Sequence, residues 1–174
     1  MVGSASVGLG TSPVLYKDLV ILLCDEENGE RSHIVGLDRR TGKEVWRTPR
    51  KIELSWATPV VVSAGGRDEV VTSGNQAIIA YDPATGKELW RMKGLENNAV
   101  ATPLVGDGVI VLTSGYPGKI SLAVKPGGSG DVTGAVLWRY EKGSAYVPSP
   151  ILYEGLVYLL TDKGRALWPV MTAL

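Results

Sequence analysis

The sequence predicts an all-β fold: a β-propeller of four-stranded antiparallel blades, with a partial ring of about four blades in one chain. Three observations predict it: short apolar runs between turn residues, a motif that recurs about every 45 residues, and four strands in each repeat. A β-sandwich with a similar number of strands has no need of a motif that recurs once every four strands. The propeller is therefore the predicted architecture.

The composition restricts the other possibilities. The 174 residues include 22 glycines and 10 prolines along the whole chain, which leaves little room for helices of ~11 residues. The formal net charge is zero and the charges are interspersed, so we expect no nucleic-acid partner. The sequence contains no run of ~18 apolar residues, so we expect no transmembrane segment, and residues 1–10 do not resemble a secretory signal. Cys24, the one cysteine, excludes an internal disulfide and is expected to be a small buried hydrophobe.

Two independent markers define the repeat. The first is a small residue followed by proline, with proline spacings of 46, 44 and 47: Pro13, Pro59, Pro103 and Pro150. The second is a tryptophan, with spacings of 44 and 48: Trp46, Trp90 and Trp138. The agreement predicts one domain with repeats at approximately 12–56, 57–100, 101–146 and 147–174, of which the last is incomplete.

Each repeat is predicted to begin with a hairpin after its proline. The segments 13–22, 103–112 and 150–159 superpose without gaps, with turns at Lys17-Asp18, Asp107-Gly108 and Glu154-Gly155. A type I′ turn needs positive φ at both central residues, so Asp18 is expected to take the glycine position. The second repeat is expected to lengthen this turn to residues 63–69.

A second turn and two further strands complete the predicted repeat. The second turns are expected at Asn28-Gly29, Gly74-Asn75, Pro117-Gly118 and Lys163-Gly164, and the third strands at 33–38, 77–82 and 120–125. In "DPATGKELW", Asp82 can accept hydrogen bonds from turn amides, Pro83 presets φ and Gly86 can supply a left-handed residue. The chain then reverses into a fourth strand at 87–92. In the last repeat, Pro169 is expected to interrupt any strand.

The repeated pattern D-x-x-T-G-K-E-x-W resembles that of the pyrroloquinoline-quinone-like (PQQ-like) repeat propellers. The matching residues are Asp38, Thr41, Gly42 and Trp46, then Asp82, Thr85, Gly86 and Trp90, then Thr133, Gly134 and Trp138. The third repeat has Lys125 in place of the aspartate and an insertion, "GGSGD", that is expected to form a longer exposed loop. The resemblance implies that the tryptophan ending each blade docks against the neighbouring blade.

The family that the chain resembles has two functional classes. One consists of exported quinoprotein dehydrogenases that use the quinone PQQ with calcium. The other consists of non-catalytic scaffolds such as the lipoprotein of the bacterial outer-membrane protein assembly machinery, which the chain resembles most in character. The resemblance to dehydrogenases implies a tryptophan floor, in many members an adjacent-cysteine pair, and acidic or amide metal ligands. The single cysteine excludes the pair, and Trp56 is either such a platform or an interblade packing residue.

No catalytic or metal-binding residue is predicted. His33, the only histidine, excludes a multi-histidine metal site and is expected at the surface or in a hairpin. Residues 25–30, "DEENGE", lack the sixth-position glycine of an EF-hand, so they are expected to form an acidic hairpin tip. The glycine-rich residues 127–134 do not lead into a helix and lack its phosphate-binding terminus.

The prediction is a non-catalytic propeller scaffold or protein-binding module without a cofactor. The alternative is a fragment of a PQQ-dependent alcohol or sugar dehydrogenase, with PQQ and calcium. A partial ring exposes apolar blade faces, so either a protein partner or a second copy completing the ring is expected, unless the chain is part of a longer protein. Candidate contact residues are Arg39, Arg40, Glu96–Asn98 and 126–131. The resemblance implies a periplasmic or otherwise extracytoplasmic location.

Overall fold

A computed structural model of the chain describes residues 10–75, 77–96, 98–116 and 118–161, together with the backbone of 164–169. These residues form sixteen strands in four sheets and no helix. The first sheet contains β1 Val14–Tyr16, β2 Leu19–Cys24, β3 His33–Asp38 and β4 Glu44–Pro49. The second contains β5 Val60–Ala64, β6 Arg67–Ser73, β7 Ala77–Tyr81 and β8 Glu88–Lys93. The third contains β9 Leu104–Gly106, β10 Val109–Ser114, β11 Ile120–Val124 and β13 Val136–Tyr140. The fourth contains β14 Ile151–Tyr153, β15 Leu156–Thr161 and β16 Gly164–Pro169. The short strand β12, Gly130–Asp131, lies between β11 and β13 in the sequence.

The sheets are arranged as propeller blades. Apart from β12, the strands of each sheet are antiparallel and follow one another in chain order, and the first strands of successive sheets (β1, β5, β9 and β14) contact one another. These strands form the inner side of the partial ring. Three apolar clusters fill the spaces between successive sheets, so the core lies between the blades rather than inside one sandwich. The prediction of an all-β partial propeller of about four blades is confirmed.

The first hairpins of the third and fourth blades have the predicted turn. Both central residues of Asp107–Gly108 and Glu154–Gly155 have positive φ, between 49° and 74°. In the first blade only Lys17 does, with φ of 53°, so the expectation that Asp18 adopts positive φ is wrong. The β3–β4 turn restrains Asp18, because Arg39 donates its backbone N–H to the Asp18 carbonyl at 2.9 Å and its guanidinium pairs with the carboxylate.

The first hairpin of the second blade has a turn of ordinary length. Ala64 pairs with Arg67 across Gly65 and Gly66, whose φ values are 58° and 79°. Two glycines allow this tight turn without steric cost, so the extra residues lengthen the strands instead of the turn. The prediction of a long turn over 63–69 is wrong.

The insertion of the third repeat forms a strand of the neighbouring blade. Gly130 and Asp131 are exposed, but as β12 they pair in parallel with Trp90 and Arg91 of β8, which gives the second sheet five strands. Val132 N–H continues the contact by donating to the Arg91 carbonyl at 2.9 Å. The expectation of a loop is therefore wrong for these two residues.

The fourth blade has a third strand where none was expected. β16 pairs with β15 from Thr161 opposite Gly164 to Leu156 opposite Pro169. Pro169 is the last residue of β16, which is the edge of this sheet among the described residues, and proline is tolerated there. The prediction that Pro169 interrupts the strand is wrong. The predicted turns at Pro117-Gly118 and Lys163-Gly164 include Pro117 and Lys163, which lie outside the described residues.

Candidate functional site

The junction between the first and second blades is built around Trp46. The indole lies over Gly36 of its own blade and under the β7–β8 turn of the next. A Cβ atom on Gly36 or on Gly86 would come within 2.4 Å of the ring, so only glycine fits at either position. Trp46 Nε1 donates to the Pro83 carbonyl at 3.2 Å, and Thr48 Oγ1 donates to the Gly86 carbonyl at 2.6 Å. The motif turn of one blade thus covers the tryptophan of the preceding blade.

The motif aspartates shape the turns that make these contacts. Asp38 Oδ1 accepts hydrogen bonds from the Thr41 N–H and hydroxyl, both at 2.8 Å, and these bonds hold the pKa of Asp38 below its usual value. Asp82 Oδ1 accepts from the Ala84 N–H at 2.8 Å, and its carbonyl accepts from the Gly86 N–H at 2.8 Å. Both carboxylates therefore accept hydrogen bonds from their own turns.

In the third repeat the turn aspartate is Asp131, not the position occupied by Lys125. Asp131 Oδ1 accepts from the Thr133 N–H at 2.9 Å and from its hydroxyl at 2.6 Å, and these bonds lower the pKa of Asp131. Thr133 Oγ1 accepts in turn from the Lys93 N–H of the second blade at 3.1 Å. A Cβ atom on Gly134 would meet no other atom within 4 Å. The insertion therefore carries a shifted copy of the motif turn.

The junction between the second and third blades contains a buried carboxylate that sequence analysis missed. Glu69 of β6 has no exposed surface, and its Oε2 accepts from Trp90 Nε1 at 2.8 Å and from the Gly127 N–H at 3.1 Å. Its Oε1 accepts from Arg67 Nε at 2.9 Å. Arg67 also donates to the Gly128 carbonyl. A signal was present in the sequence, because Glu69 lies two residues before Val71 and so shares its buried strand face.

In the part of the junction between the third and fourth blades that the structure describes, the tryptophan makes no equivalent bond. Trp138 packs with Leu137 against a cluster that includes Val157 and Leu159 of β15. Its Nε1 is buried and has no hydrogen-bond partner among the described residues. A buried N–H that makes no hydrogen bond is costly, so among the described residues the contacts of Trp138 at this junction are apolar.

A buried ion pair links the first two blades. Asp25 Oδ1 lies 3.1 Å from Arg50 Nε, and the two side chains are almost fully buried. Ser55 donates its hydroxyl to the other Asp25 oxygen, and Arg50 Nη1 donates to Thr72 Oγ1 of the second blade at 2.9 Å. Burial raises the pKa of Asp25, although Arg50 opposes the shift. The expectation of an acidic tip is wrong for Asp25, whereas Gly29 does form the predicted turn with φ of 70°.

The remaining candidates that the sequence offered are His33, Cys24 and Trp56. His33 begins β3 with its Nδ1 2.8 Å from the Arg31 carbonyl, and Cys24 is half-buried, so burial raises the pKa of its thiol. Trp56 is half-buried, lies against Gly10 and donates its backbone N–H to the Ala99 carbonyl at 3.0 Å. Within the described part of the chain, no three His, Cys, Asp or Glu side chains are placed to hold a metal ion.

The candidate surface residues are partly engaged in internal contacts. Arg39 pairs with Asp18, whereas the side chain of Arg40 is exposed. Glu96 lies over Gly118 and donates its backbone N–H to Ser114 Oγ at 3.3 Å, and Asn98 N–H donates to Asn75 Oδ1 at 2.8 Å. Asn97 lies outside the described residues. Across the ranges that the structure describes, no helix is long and apolar enough to cross a membrane.

Comparison with protein families identifies the repeat. The family model described as outer membrane protein assembly factor BamB matches residues 30–130, more than half of the chain. The chain belongs to this PQQ-like repeat family. The resemblance that the motif predicts is thereby confirmed. None of the curated proteins compared with the chain matches it.

Solved structures of low sequence identity resemble the chain to different degrees. The computationally designed Ika4 protein superposes with a TM-score of 0.64 at 14% identity, covering 98% of this chain and 95% of the other. Quinohemoprotein alcohol dehydrogenase from Comamonas testosteroni gives a TM-score of 0.60 at 16% identity, covering 90% of this chain and 29% of the other. BamB from Moraxella catarrhalis gives 0.49 at 17% identity, covering 97% and 61%. The chain thus spans less than a third of the dehydrogenase.

Proposed function

We propose that the chain is a non-catalytic PQQ-like propeller that serves as a scaffold or protein-binding module. One observation carries the proposal: the polar residues of the repeat motif are used in holding turns and blades together. Asp38 binds its own turn, Trp46 donates to the next blade, and Glu69 joins Trp90 to the third-blade insertion. These groups are therefore occupied and are not available for a substrate.

The family description supports this role, because it names an assembly factor rather than an enzyme. The partner is a protein, either a different one or a second copy that completes the ring, and the location is periplasmic or otherwise extracytoplasmic. The blades supply a rigid frame, and their turns supply surfaces for contact. Among these turns, the one containing Arg40 has an exposed cation at the end of the first blade.

The second candidate is part of a PQQ-dependent alcohol or sugar dehydrogenase, which the shared fold with the quinohemoprotein enzymes favours. The residues present do not fit the cofactor and its metal. Calcium takes 6–8 oxygen ligands, and no acidic cluster of that kind occurs in the described ranges. The single cysteine excludes an adjacent-cysteine pair, and Trp56 lies against Gly10. We therefore derive no catalytic step for this chain.

Titration with PQQ and calcium separates the two candidates. The scaffold proposal expects no saturable change in the absorbance of the quinone and no dye-coupled oxidation of alcohols or aldoses. Saturable binding with turnover would overturn it. A capture experiment adds a positive test: the immobilised chain should retain a protein from a bacterial envelope extract, and Arg40→Glu should reduce the retention more than Lys51→Glu, a substitution at the opposite end of the blade.

A further inference from the structure

Among the described residues, the two outermost blades of the partial ring each leave one apolar face without a neighbouring blade. We call the face toward the next blade in chain order the forward face, and the opposite one the backward face. The forward face of the fourth blade consists of side chains that alternate with those packed on the third blade: Ile151, Tyr153, Leu156, Tyr158 and Leu160. Tyr153 is 61% exposed and Leu160 is 55% exposed. Large exposed apolar patches of this kind mark interaction sites.

The same positions in the first blade are buried or half-buried against the second blade. When residues 13–24 are aligned with 150–161, Tyr153 corresponds to Tyr16 and Leu160 corresponds to Leu23. Leu156 and Tyr158 correspond to Leu19 and Ile21. The four first-blade residues belong to the cluster packed on the second blade. The open forward face thus has the composition of a face that is known to accept a blade.

The backward face of the first blade is the complementary surface. Leu15 is 70% exposed, and Val20, Leu22 and Leu37 are half-buried. The pairing Leu15 opposite Val20 in the first blade corresponds to Val61 opposite Val70 in the second. Val61 and Val70 pack on the first blade in the same cluster as Ile21 and Leu23. The backward face of the first blade therefore has the composition of a face that a forward face covers.

We propose that the forward face of the fourth blade binds the backward face of the first blade of a second copy of this chain. The contact joins different surfaces of the two copies, so two such contacts around a twofold axis close a ring. Each copy contributes four sheets to that ring. The partner is this chain itself because it carries both faces, and forward and backward faces already mate at three junctions within it. This inference rests on the proposed protein-binding role and names the partner.

Light scattering coupled to gel filtration tests the proposal. The 18.5 kDa chain should elute with twice its monomer mass at micromolar concentration. Leu15→Glu and Leu160→Glu each place a charge on one of the two faces, and each alone should give monomers. Tyr116→Glu, which changes an exposed side chain outside both faces, should leave the dimer intact. Circular dichroism checks folding. If Leu160→Glu fails to fold, Tyr153→Lys replaces it on the forward face, and if Leu15→Glu fails to fold, Val20→Lys replaces it on the backward face.

Mixing the two monomeric variants distinguishes this contact from a symmetric one. Each variant keeps the face that the other has lost, so an equimolar mixture should form a 1:1 complex through one intact junction. A folded monomeric wild-type chain, an open filament, or dimers that persist in Leu15→Glu and Leu160→Glu would overturn the proposal. Such a result would leave the scaffold function to be decided by the quinone titration and the capture experiment, which do not depend on self-association.

Discussion

The first two blade junctions provide different hydrogen-bond acceptors for the indole N–H of their tryptophan. Trp46 donates to a backbone carbonyl, that of Pro83, in a tight motif turn of the next blade. Trp90 donates to the carboxylate of Glu69 in its own blade, and this carboxylate also accepts from Gly127 in the insertion. A short turn can present its own carbonyl to the indole, whereas the longer insertion is held through a buried side chain. The repeat therefore fixes the position of the tryptophan but not the identity of its acceptor.

The largest effect is expected at the second junction. Glu69→Leu should lower the free energy of unfolding by about 2–4 kcal/mol, because it leaves the N–H groups of Trp90 and Gly127 unbonded and removes the carboxylate that pairs with Arg67. Urea denaturation measures the loss. Hydrogen exchange should show that the Gly127 amide loses protection. Glu44→Ala is the matched control, because it removes an exposed ion pair with Arg47 and should leave the free energy of unfolding almost unchanged. Equal losses in the two variants would show that Glu69 does not hold this junction.

The next effect concerns the tight turn of the first junction, for which the chain supplies its own control. Gly42 and Gly86 occupy the same motif position with φ of 69° and 73°. A Cβ atom on Gly42 would meet no atom within 4 Å, whereas on Gly86 it would overlap Trp46. Gly42→Ala should therefore cost about 1 kcal/mol for the backbone strain. Gly86→Ala should cost about 1–3 kcal/mol more, because Trp46 must move. Thermal or urea unfolding of both variants gives the difference, and equal costs would mean that the turn does not cover the indole.

The two junctions also differ in how far the sequence predicts them. The turn over Trp46 follows from local chemistry, since Asp82, Pro83 and Gly86 each favour one step of the reversal. The repeat spacing then gives the strand order and the fold. At the second junction, the sequence of β12 is not typical of a strand. It forms one because it pairs with β8, some forty residues earlier in the chain, and local sequence does not reveal that pairing. The burial of Glu69 likewise depends on donors from two distant segments.

The same limit explains the other corrections. Asp25 follows an apolar strand and precedes an Asn-Gly turn, so local pattern places it at an exposed tip. It is buried because Arg50 and Ser55, which lie after the fourth strand, approach it in the folded ring. A charge is buried only where partners compensate its lost hydration, and those partners are set by the packing of blades. Residues that a repeat shares are therefore predictable from sequence, whereas residues that distinguish one junction from another are not.

The smallest effect concerns the N–H group of the tryptophan indole. Its removal should change the free energy of unfolding in opposite directions at the first junction and at the third. Replacing a tryptophan by β-(3-benzothienyl)alanine keeps the shape of the indole but removes its N–H. At Trp46 the replacement should cost about 1 kcal/mol, because the bond to the Pro83 carbonyl is lost. At Trp138, where the buried N–H has no partner among the described residues, it should stabilise the chain by about 1 kcal/mol. Urea unfolding of the two proteins measures both changes. A loss at Trp138 as large as that at Trp46 would mean that the third junction supplies an acceptor after all, and that all three junctions bond their indole.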